Sequence, residues 1–138
     1  MSELSRIGVA IDSDLLKKFD DLIAGRGYTN RSEAFRDLIR DAMIEQKAER
    51  PDSVVVGTVT LVYDHHVRRL SEKLTDMQHE HYHNVLSTLH VHLDHDHCLE
   101  VVVLRGKSSA VRRMADALIS AKGVKHGRLT ITSSGAGL

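Results

Sequence analysis

The sequence predicts an α+β protein built from two modules. Apolar residues follow the order strand, helix, helix within residues 1–48, and the order strand, helix, strand, strand, helix, strand over residues 54–132. The second order is that of a ferredoxin-like βαββαβ domain, in which helices cover one face of an antiparallel sheet. Residues 49–53 contain the only proline and predict a polar linker, and residues 133–138 predict a disordered tail.

The first module begins with a short strand over residues 6–11. Alternate side chains face opposite sides of this strand, with Ile7, Val9 and Ile11 on one side and Arg6, Gly8 and Ala10 on the other. Two amphipathic helices follow, the first capped by Asp12 and the second opened by an Asn30–Glu33 capping box. A single strand has no pairing partner, and so short a module cannot bury an adequate core. We therefore expect this strand to pair with the same strand of a second chain.

The second module begins with a β-branched strand over residues 54–63. A helix is predicted from His65, because apolar residues then recur on one helical face at Val67, Leu70, Leu74 and Met77. A β-hairpin follows, with strands over residues 85–93 and 98–104. Another amphipathic helix, ended by Gly123, then leads to a last strand over residues 124–132.

Composition excludes several classes of protein. The 138 residues contain no apolar run that predicts a membrane span, and they begin without signal-peptide character, so we expect a cytoplasmic protein with no membrane partner. One cysteine excludes an intrachain disulfide, which fits a reducing compartment. The formal net charge is zero, so any nucleic-acid binding must come from locally placed arginines rather than from bulk charge.

Histidines are concentrated in one stretch of the second module. Nine of the ten lie between His65 and His97, and the only cysteine, Cys98, follows directly. His95 and His97, like His65 and its neighbour His66, are interpreted as solvated polar residues. On a helix, residues two apart do not share a face, so at most one or two of His79, His81 and His83 can join a given site.

A metal site is predicted within this stretch. His90 and His92 are two apart in a strand, so both imidazoles face one side of the sheet. A tight turn over residues 94–97 then brings Cys98 beside His92. Two imidazoles and a thiol are costly to bury without a partner, and a transition metal supplies one. His79 is a possible fourth donor. Zinc, nickel and copper all accept three nitrogens and one sulfur, so the ligand types do not choose among them.

Several stretches in this order resemble the NikR family of nickel-responsive regulators. They are GYTNRSEAFRD, QHEHYH, TLHVH and HDHCLE, and the resemblance extends over roughly residues 5 to 132. It implies a ribbon-helix-helix DNA-binding domain, formed as a swapped dimer, followed by an ACT-like metal-binding domain. It also implies a repressor that binds operator DNA when nickel is bound, working as a homotetramer made of two dimers.

The resemblance also implies ligands and DNA contacts. One nickel ion per subunit would be held in a square plane by His90, His92, Cys98 and, across a tetramer interface, His79 of a neighbouring subunit. The paired strands would lie in the major groove and the start of the second helix would meet phosphate, where its free N–H groups favour an anion. The residues at these positions are Arg6, Gly8 and Ala10 for the groove, and Asn30, Arg31, Ser32 and Arg36 for phosphate.

The chain departs from the resembling family at the groove-facing positions and keeps a pair of its carboxylates on the second helix. Relatives generally carry Arg and then Ser or Thr twice on the groove-facing positions, whereas Gly8 and Ala10 of this chain cannot hydrogen-bond to a base edge through a side chain. Glu33 and Asp37 match carboxylates that can hold a potassium ion between domains. Plain surface residues one helical turn apart are the alternative for that pair.

Two other functions compete with regulation. Two histidines and a cysteine with an open position also form a catalytic zinc pattern, and Glu100 could serve as its base or as a hydrogen-bond partner behind the ligands. A metal buffer without a DNA role would equally use a histidine-rich stretch. The regulator hypothesis requires DNA binding that responds to metal, which neither alternative predicts.

Overall fold

The structure, a computed structural model, describes residues 2–138. The chain forms two compact units, one ending at Asp41 and the other comprising Ala42–Leu138. This division falls within a long helix. It lies earlier in the chain than residue 48, the predicted end of the first module. Within the described residues, no helix combines the length and the apolar character needed to cross a membrane.

The first unit contains α1 (Ser13–Gly25) and most of α2 (Arg31–Glu49). The predicted side-chain caps by Asp12 and Asn30 are confirmed, the second as one half of the predicted capping box. The Asp12 carboxylate accepts hydrogen bonds from the Asp14 and Leu15 N–H groups at 3.0 and 3.2 Å. Asn30 Oδ1 accepts one from the Glu33 N–H at 2.9 Å. These bonds satisfy N–H groups that the first turn of each helix leaves without intrahelical partners.

This unit buries very little apolar surface. Of its described residues only Ile23 and Ala34 are buried. Residues 2–12 lie outside every helix and strand of the chain, and the side chains of Ile7 and Val9 are 79 % and 61 % exposed. A strand is defined by a pairing partner, so the strand over residues 6–11 stays a prediction.

The second unit is a four-stranded antiparallel sheet with the strand order β2-β3-β1-β4. Its elements are β1 (Val54–Asp64), α3 (Leu70–Glu80), β2 (Val85–His92), β3 (His97–Lys107), α4 (Ser108–Ile119) and β4 (Val124–Thr132). The predicted βαββαβ order is therefore confirmed. Burial alternates along the central strands β1 and β3, as expected for a sheet covered on one face. The core joins that face to apolar residues of α3 and α4, among them Leu74 and Leu118.

The predicted start of the third helix is wrong. The helix begins at Leu70 rather than at His65, and Arg69 before it adopts a left-handed backbone with φ 63°. The reason is local hydrogen bonding. The His65 N–H donates to the Asp96 carbonyl at 2.9 Å, and the His66 N–H donates to the Asp64 carboxylate at 2.8 Å. The first bond holds the chain against the hairpin turn, and the second forms a local turn after β1, so the chain does not enter a helix at His65.

The C-terminal residues 133–138 form no helix or strand. One backbone hydrogen bond, from the Leu138 N–H to the Gly135 carbonyl at 3.4 Å, closes a turn at the end of the chain. Disorder of this segment stays a prediction.

Candidate metal centre

The hairpin of β2 and β3 places the predicted ligands in register. His92 lies opposite Cys98, and His90 lies opposite Glu100. Directly opposed residues of antiparallel strands share a face, so His90, His92 and Cys98 lie on one face of the hairpin, as predicted. Among the described residues, however, His90 is not part of the cluster of ligand atoms around the thiol, which comprises His65, His92 and Cys98. The turn between the strands is fixed by Asp94, whose Oδ1 accepts hydrogen bonds from the N–H groups of Asp96 and His97, each at 2.8 Å.

His92 and Cys98 are close enough to share an ion. Cys98 Sγ lies 3.4 Å from His92 Nδ1, with the cysteine fully buried and the histidine exposed. A metal about 2.0 Å from nitrogen and about 2.3 Å from sulfur holds the two atoms roughly 3.0 Å apart at a right angle and roughly 3.5 Å apart at a tetrahedral angle. The observed separation of 3.4 Å falls between these values and lies closer to the tetrahedral one, so a square-planar ion would require the two atoms to approach slightly.

His90 is held by a tyrosine behind it. Its Nδ1 lies 3.3 Å from the Tyr63 hydroxyl oxygen, and that hydroxyl donates its proton to Glu100 Oε2 at 3.1 Å. Burial raises the pKa of Tyr63 to about 12, so the hydroxyl keeps its proton at neutral pH. The hydroxyl has only one proton, so with that proton on Glu100 the contact is satisfied by the His90 tautomer that donates from Nδ1, and this tautomer leaves the Nε2 lone pair free for a metal.

Glu100 connects this face to α3. It is buried on β3, and its Oε1 accepts a hydrogen bond from Gln78 Nε2 at 3.0 Å. Gln78 lies on α3 and precedes His79, the predicted donor to a neighbouring subunit. Both oxygens of Glu100 are thus occupied by neighbouring side chains. This arrangement is the one expected of a hydrogen-bond partner behind the ligands.

His65 is a donor that sequence analysis missed. One ligand atom each of His65, His92 and Cys98 lie within 4.8 Å of one another. The His65 Nδ1 is buried and has no hydrogen-bond partner among residues 2–138. Nothing in the spacing of the histidines indicated this, since His65 follows β1 and reaches the site only because Tyr63 of β1 pairs with Cys98 of β3. Knowledge that β1 pairs with β3 would have indicated His65 as a potential ligand.

His79 lies apart from the cluster of His65, His92 and Cys98 within one chain. It lies exposed in the last turn of α3, and in the part of the chain that the structure describes it belongs to neither cluster of potential ligands. His81 and His83, in the turn that follows α3, are exposed as well. A contribution from His79 of the partner subunit stays a prediction.

The electrostatics of the site favour a cation. Burial, followed by the negative charges of Glu100, Asp64 and Asp94, raises the pKa of the Cys98 thiol. Hydrogen bonds from the N–H groups of Asp96 and His97 hold the pKa of Asp94 at about 2, so its charge persists near the site. A metal ion would displace the thiol proton and offset the surrounding carboxylates. Imidazole and thiolate suit nickel, copper and zinc alike, so the donor set fits a nickel ion.

The candidate groove residues lie in the unpaired N-terminal segment. Arg6, Gly8 and Ala10 are all exposed. A side chain added at Gly8 would meet no atom within 4 Å, so larger residues fit there without steric conflict within the chain.

Two of the candidate phosphate-binding residues already have hydrogen-bond or ion-pair partners within the chain. Asn30 already uses its side chain to cap α2. The Arg31 guanidinium forms a bidentate ion pair with Asp20, and both nitrogen–oxygen distances are 2.8 Å. Ser32 and Arg36 are exposed. A phosphate at Arg31 would therefore compete with an existing partner.

Asp37, proposed with Glu33 as a cation site, has partners of its own. It accepts a hydrogen bond from the Tyr28 hydroxyl and forms an ion pair with Arg40 at 3.3 Å. Both of its oxygens thus already have a partner, and a cation there would share the carboxylate with these groups.

Comparison with known proteins identifies both units. Residues 5–46 match the family described as ribbon-helix-helix protein, copG family, and residues 56–132 match the NikR C terminal nickel binding domain. A nickel-responsive regulator of Solibacter usitatus is 74 % identical over 136 residues, covering 99 % of this chain and 98 % of the relative. One from Geobacter sulfurreducens is 60 % identical over 135 residues, covering 98 % and 97 %. One from Caldanaerobacter subterraneus is 52 % identical over 133 residues, covering 96 % and 86 %.

Proposed function

The chain belongs to the NikR family of nickel-responsive regulators, and from this premise we propose that it is a repressor whose binding to operator DNA requires nickel. The family is one of transcription regulators and not of enzymes, so the zinc-enzyme hypothesis is set aside. The observation that carries the proposal is the His92–Cys98 pair, with Sγ 3.4 Å from Nδ1, beside a His90 whose Nδ1 is turned to Tyr63.

The proposed site holds one nickel ion per subunit. His90, His92 and Cys98 supply three donors from one hairpin, and His79 of the partner subunit supplies the fourth. His65 is the alternative for that fourth position, because one of its ring nitrogens lies near the same thiol within the chain and its Nδ1 has no hydrogen-bond partner among the described residues. The identity of the fourth ligand determines whether the ion links subunits. A ligand set completed by His79 joins two subunits, whereas one completed by His65 does not.

Assembly is the second part of the proposal. The first unit fully buries only two of its described residues, and its apolar Ile7 and Val9 are exposed. Pairing of residues 6–11 with the same segment of a second chain would bury those side chains and provide the strand with hydrogen bonds. Two such dimers, joined through the second units, would make the homotetramer.

Nickel acts in this scheme by its different affinity for two arrangements of the tetramer. A bound ion supplies bonds that join the hairpin of one subunit to α3 of the next. The arrangement in which those groups meet is thereby favoured, and a ligand can shift an equilibrium only by such a difference in affinity. We propose that in this arrangement both DNA-binding dimers reach one operator, in the cytoplasm where the chromosome lies.

Fluorescence anisotropy of labelled promoter DNA tests the proposal. Binding should tighten when nickel is added, respond less to zinc, and reverse with chelator. Cys98→Ser should lose the nickel response, whereas His126→Ala, which changes an exposed histidine on β4, should retain it. Equal affinity with nickel and with chelator would contradict nickel gating. Absence of DNA binding in every state, with nickel still bound, would instead support a metal buffer.

A further inference from the structure

A second cluster of potential ligands lies on the exposed side of the hairpin turn. His66 Nε2 is 3.1 Å from Asp96 Oδ1, and His95 Nδ1 is 3.2 Å from the same oxygen. One ligand atom from each of the three residues lies within 4.8 Å of the others. We propose that His66, His95 and Asp96 bind a second divalent transition-metal ion, separate from the one at His92 and Cys98.

The three side chains project from two turns that are already tied together. The Asp64 carboxylate fixes the backbone of His66, and the Asp94 carboxylate fixes the backbone of Asp96, each through one hydrogen bond of 2.8 Å. The His65 N–H then joins the two turns by donating to the Asp96 carbonyl at 2.9 Å. The backbone that carries the ligands is therefore ordered before any ion arrives, which lowers the entropic cost of binding.

The donor types select the class of ion. Two neutral imidazoles and one carboxylate suit nickel, cobalt, zinc and copper, whereas magnesium and calcium prefer oxygen donors alone. All three side chains are exposed, so water can complete the coordination. With three protein ligands and no thiolate, this site should bind nickel more weakly than the proposed site at Cys98.

The two sites share no residue and can be filled together. His65 and His66 are consecutive, yet His65 belongs to the cluster of the Cys98 thiol and His66 to that of the Asp96 carboxylate. The alternative for the outer cluster is that both imidazoles only donate hydrogen bonds to Asp96, in which case it holds no ion. Metal stoichiometry separates these two possibilities, and it does so independently of DNA binding.

Equilibrium dialysis of the full chain against nickel, with absorption spectroscopy, tests the proposal. The wild type should bind one tight equivalent with sulfur-to-nickel absorption and a second, weaker equivalent without it. Asp96→Asn and His95→Ala should each lose the weaker equivalent and keep the tight one with its spectrum. Cys98→Ser should do the reverse, and excess magnesium should not displace the weaker ion.

Two control variants distinguish the cluster from nonspecific binding by surface histidines. His83→Ala and His126→Ala change exposed histidines outside the cluster and should retain both equivalents. The proposal is overturned if the wild type binds only one equivalent, or if the weaker equivalent survives both His66→Ala and His95→Ala. It is also overturned if His83→Ala removes the weaker equivalent as completely as Asp96→Asn does.

Discussion

The Tyr63 hydroxyl oxygen lies 3.3 Å from His90 Nδ1 while its proton is donated to Glu100. This relationship fixes which nitrogen of His90 faces a metal. Partners of this kind behind metal ligands set the tautomer and orientation of the imidazole. The hairpin therefore presents a histidine that is prepared for coordination before any ion is bound.

Tyr63→Phe should weaken nickel binding while leaving the fold intact. The change removes only the hydroxyl, so His90 loses its orienting partner and Glu100 loses one donor. Loss of such a partner typically reduces metal affinity about 10- to 100-fold. Competition with a chelator of known affinity measures the effect, and circular dichroism checks the fold. An unchanged affinity would show that His90 needs no partner or is not a ligand.

Nickel affinity should rise with pH because of Cys98. Its thiol pKa is raised by burial and by neighbouring carboxylates, so at neutral pH the metal-free chain holds the proton and nickel must displace it. Calorimetry in buffers of different ionisation enthalpy should detect this proton release, and Cys98→Ser should abolish it. Release that persists in Cys98→Ser would assign the proton to a histidine.

The same pKa shift predicts how the stability of the metal-free chain depends on pH. A thiol whose pKa is higher in the folded than in the unfolded state stabilises the fold below the unfolded pKa. That contribution is lost as the pH rises through the folded pKa. The free energy of unfolding, measured across this alkaline range, should therefore fall for the wild type more than for Cys98→Ser. Equal slopes for the two proteins would contradict the assigned shift.

The full chain should sediment as a tetramer, and the isolated 1–48 segment should dimerise or fail to fold. The reason is that the first unit has a very small core. Among its described residues only Ile23 and Ala34 are buried, so a single copy lacks the buried apolar surface of a stable fold. A well-folded monomer at micromolar concentration would contradict this prediction, because residues 6–11 would then have no strand partner.

Arg6→Ala should reduce binding to the operator far more than binding to random DNA. Among the groove-facing positions only Arg6 can form a bidentate hydrogen-bonded contact to guanine. Such a contact contributes roughly 1–3 kcal/mol to discrimination against the wrong base. Gly8→Thr should change which operator is preferred without harming the fold, since the position is open. Both affinities are compared at one salt concentration, because phosphate contacts depend steeply on salt. Equal losses on both DNAs for Arg6→Ala would make Arg6 a phosphate contact.

Local patterns predicted the second unit well. Runs of apolar and β-branched residues indicated the strands, and the two-residue spacing of His90 and His92 placed both on the face that Cys98 shares. The start of α3 was missed because apolar spacing from Val67 onward is helical. The N–H groups of His65 and His66, however, are bound by Asp96 and Asp64. The bond to Asp64 is local, but the bond from His65 to Asp96 depends on tertiary contact, which no short window of sequence contains.

Long-range pairing also explains the site residue that was missed. His65 is adjacent to the thiol only because β1 pairs with β3, and a histidine count cannot show this. The same limit applies to His79, whose predicted partner belongs to another subunit. Donors within one hairpin could thus be predicted from spacing, whereas donors brought by other strands or chains could not.

Mixing subunits tests the central claim most directly, namely that each nickel ion joins two chains and thereby permits operator binding. We expect the His79→Ala chain and the Cys98→Ser chain each to lack the nickel response alone. The two chains are mixed and reassembled. The affinity of the mixture for operator DNA is then measured by anisotropy with and without nickel. The mixture should regain part of the response, because some interfaces then pair an intact His79 with an intact Cys98. If His79→Ala alone keeps the full response while His65→Ala abolishes it, the site is completed within one chain and the account is contradicted.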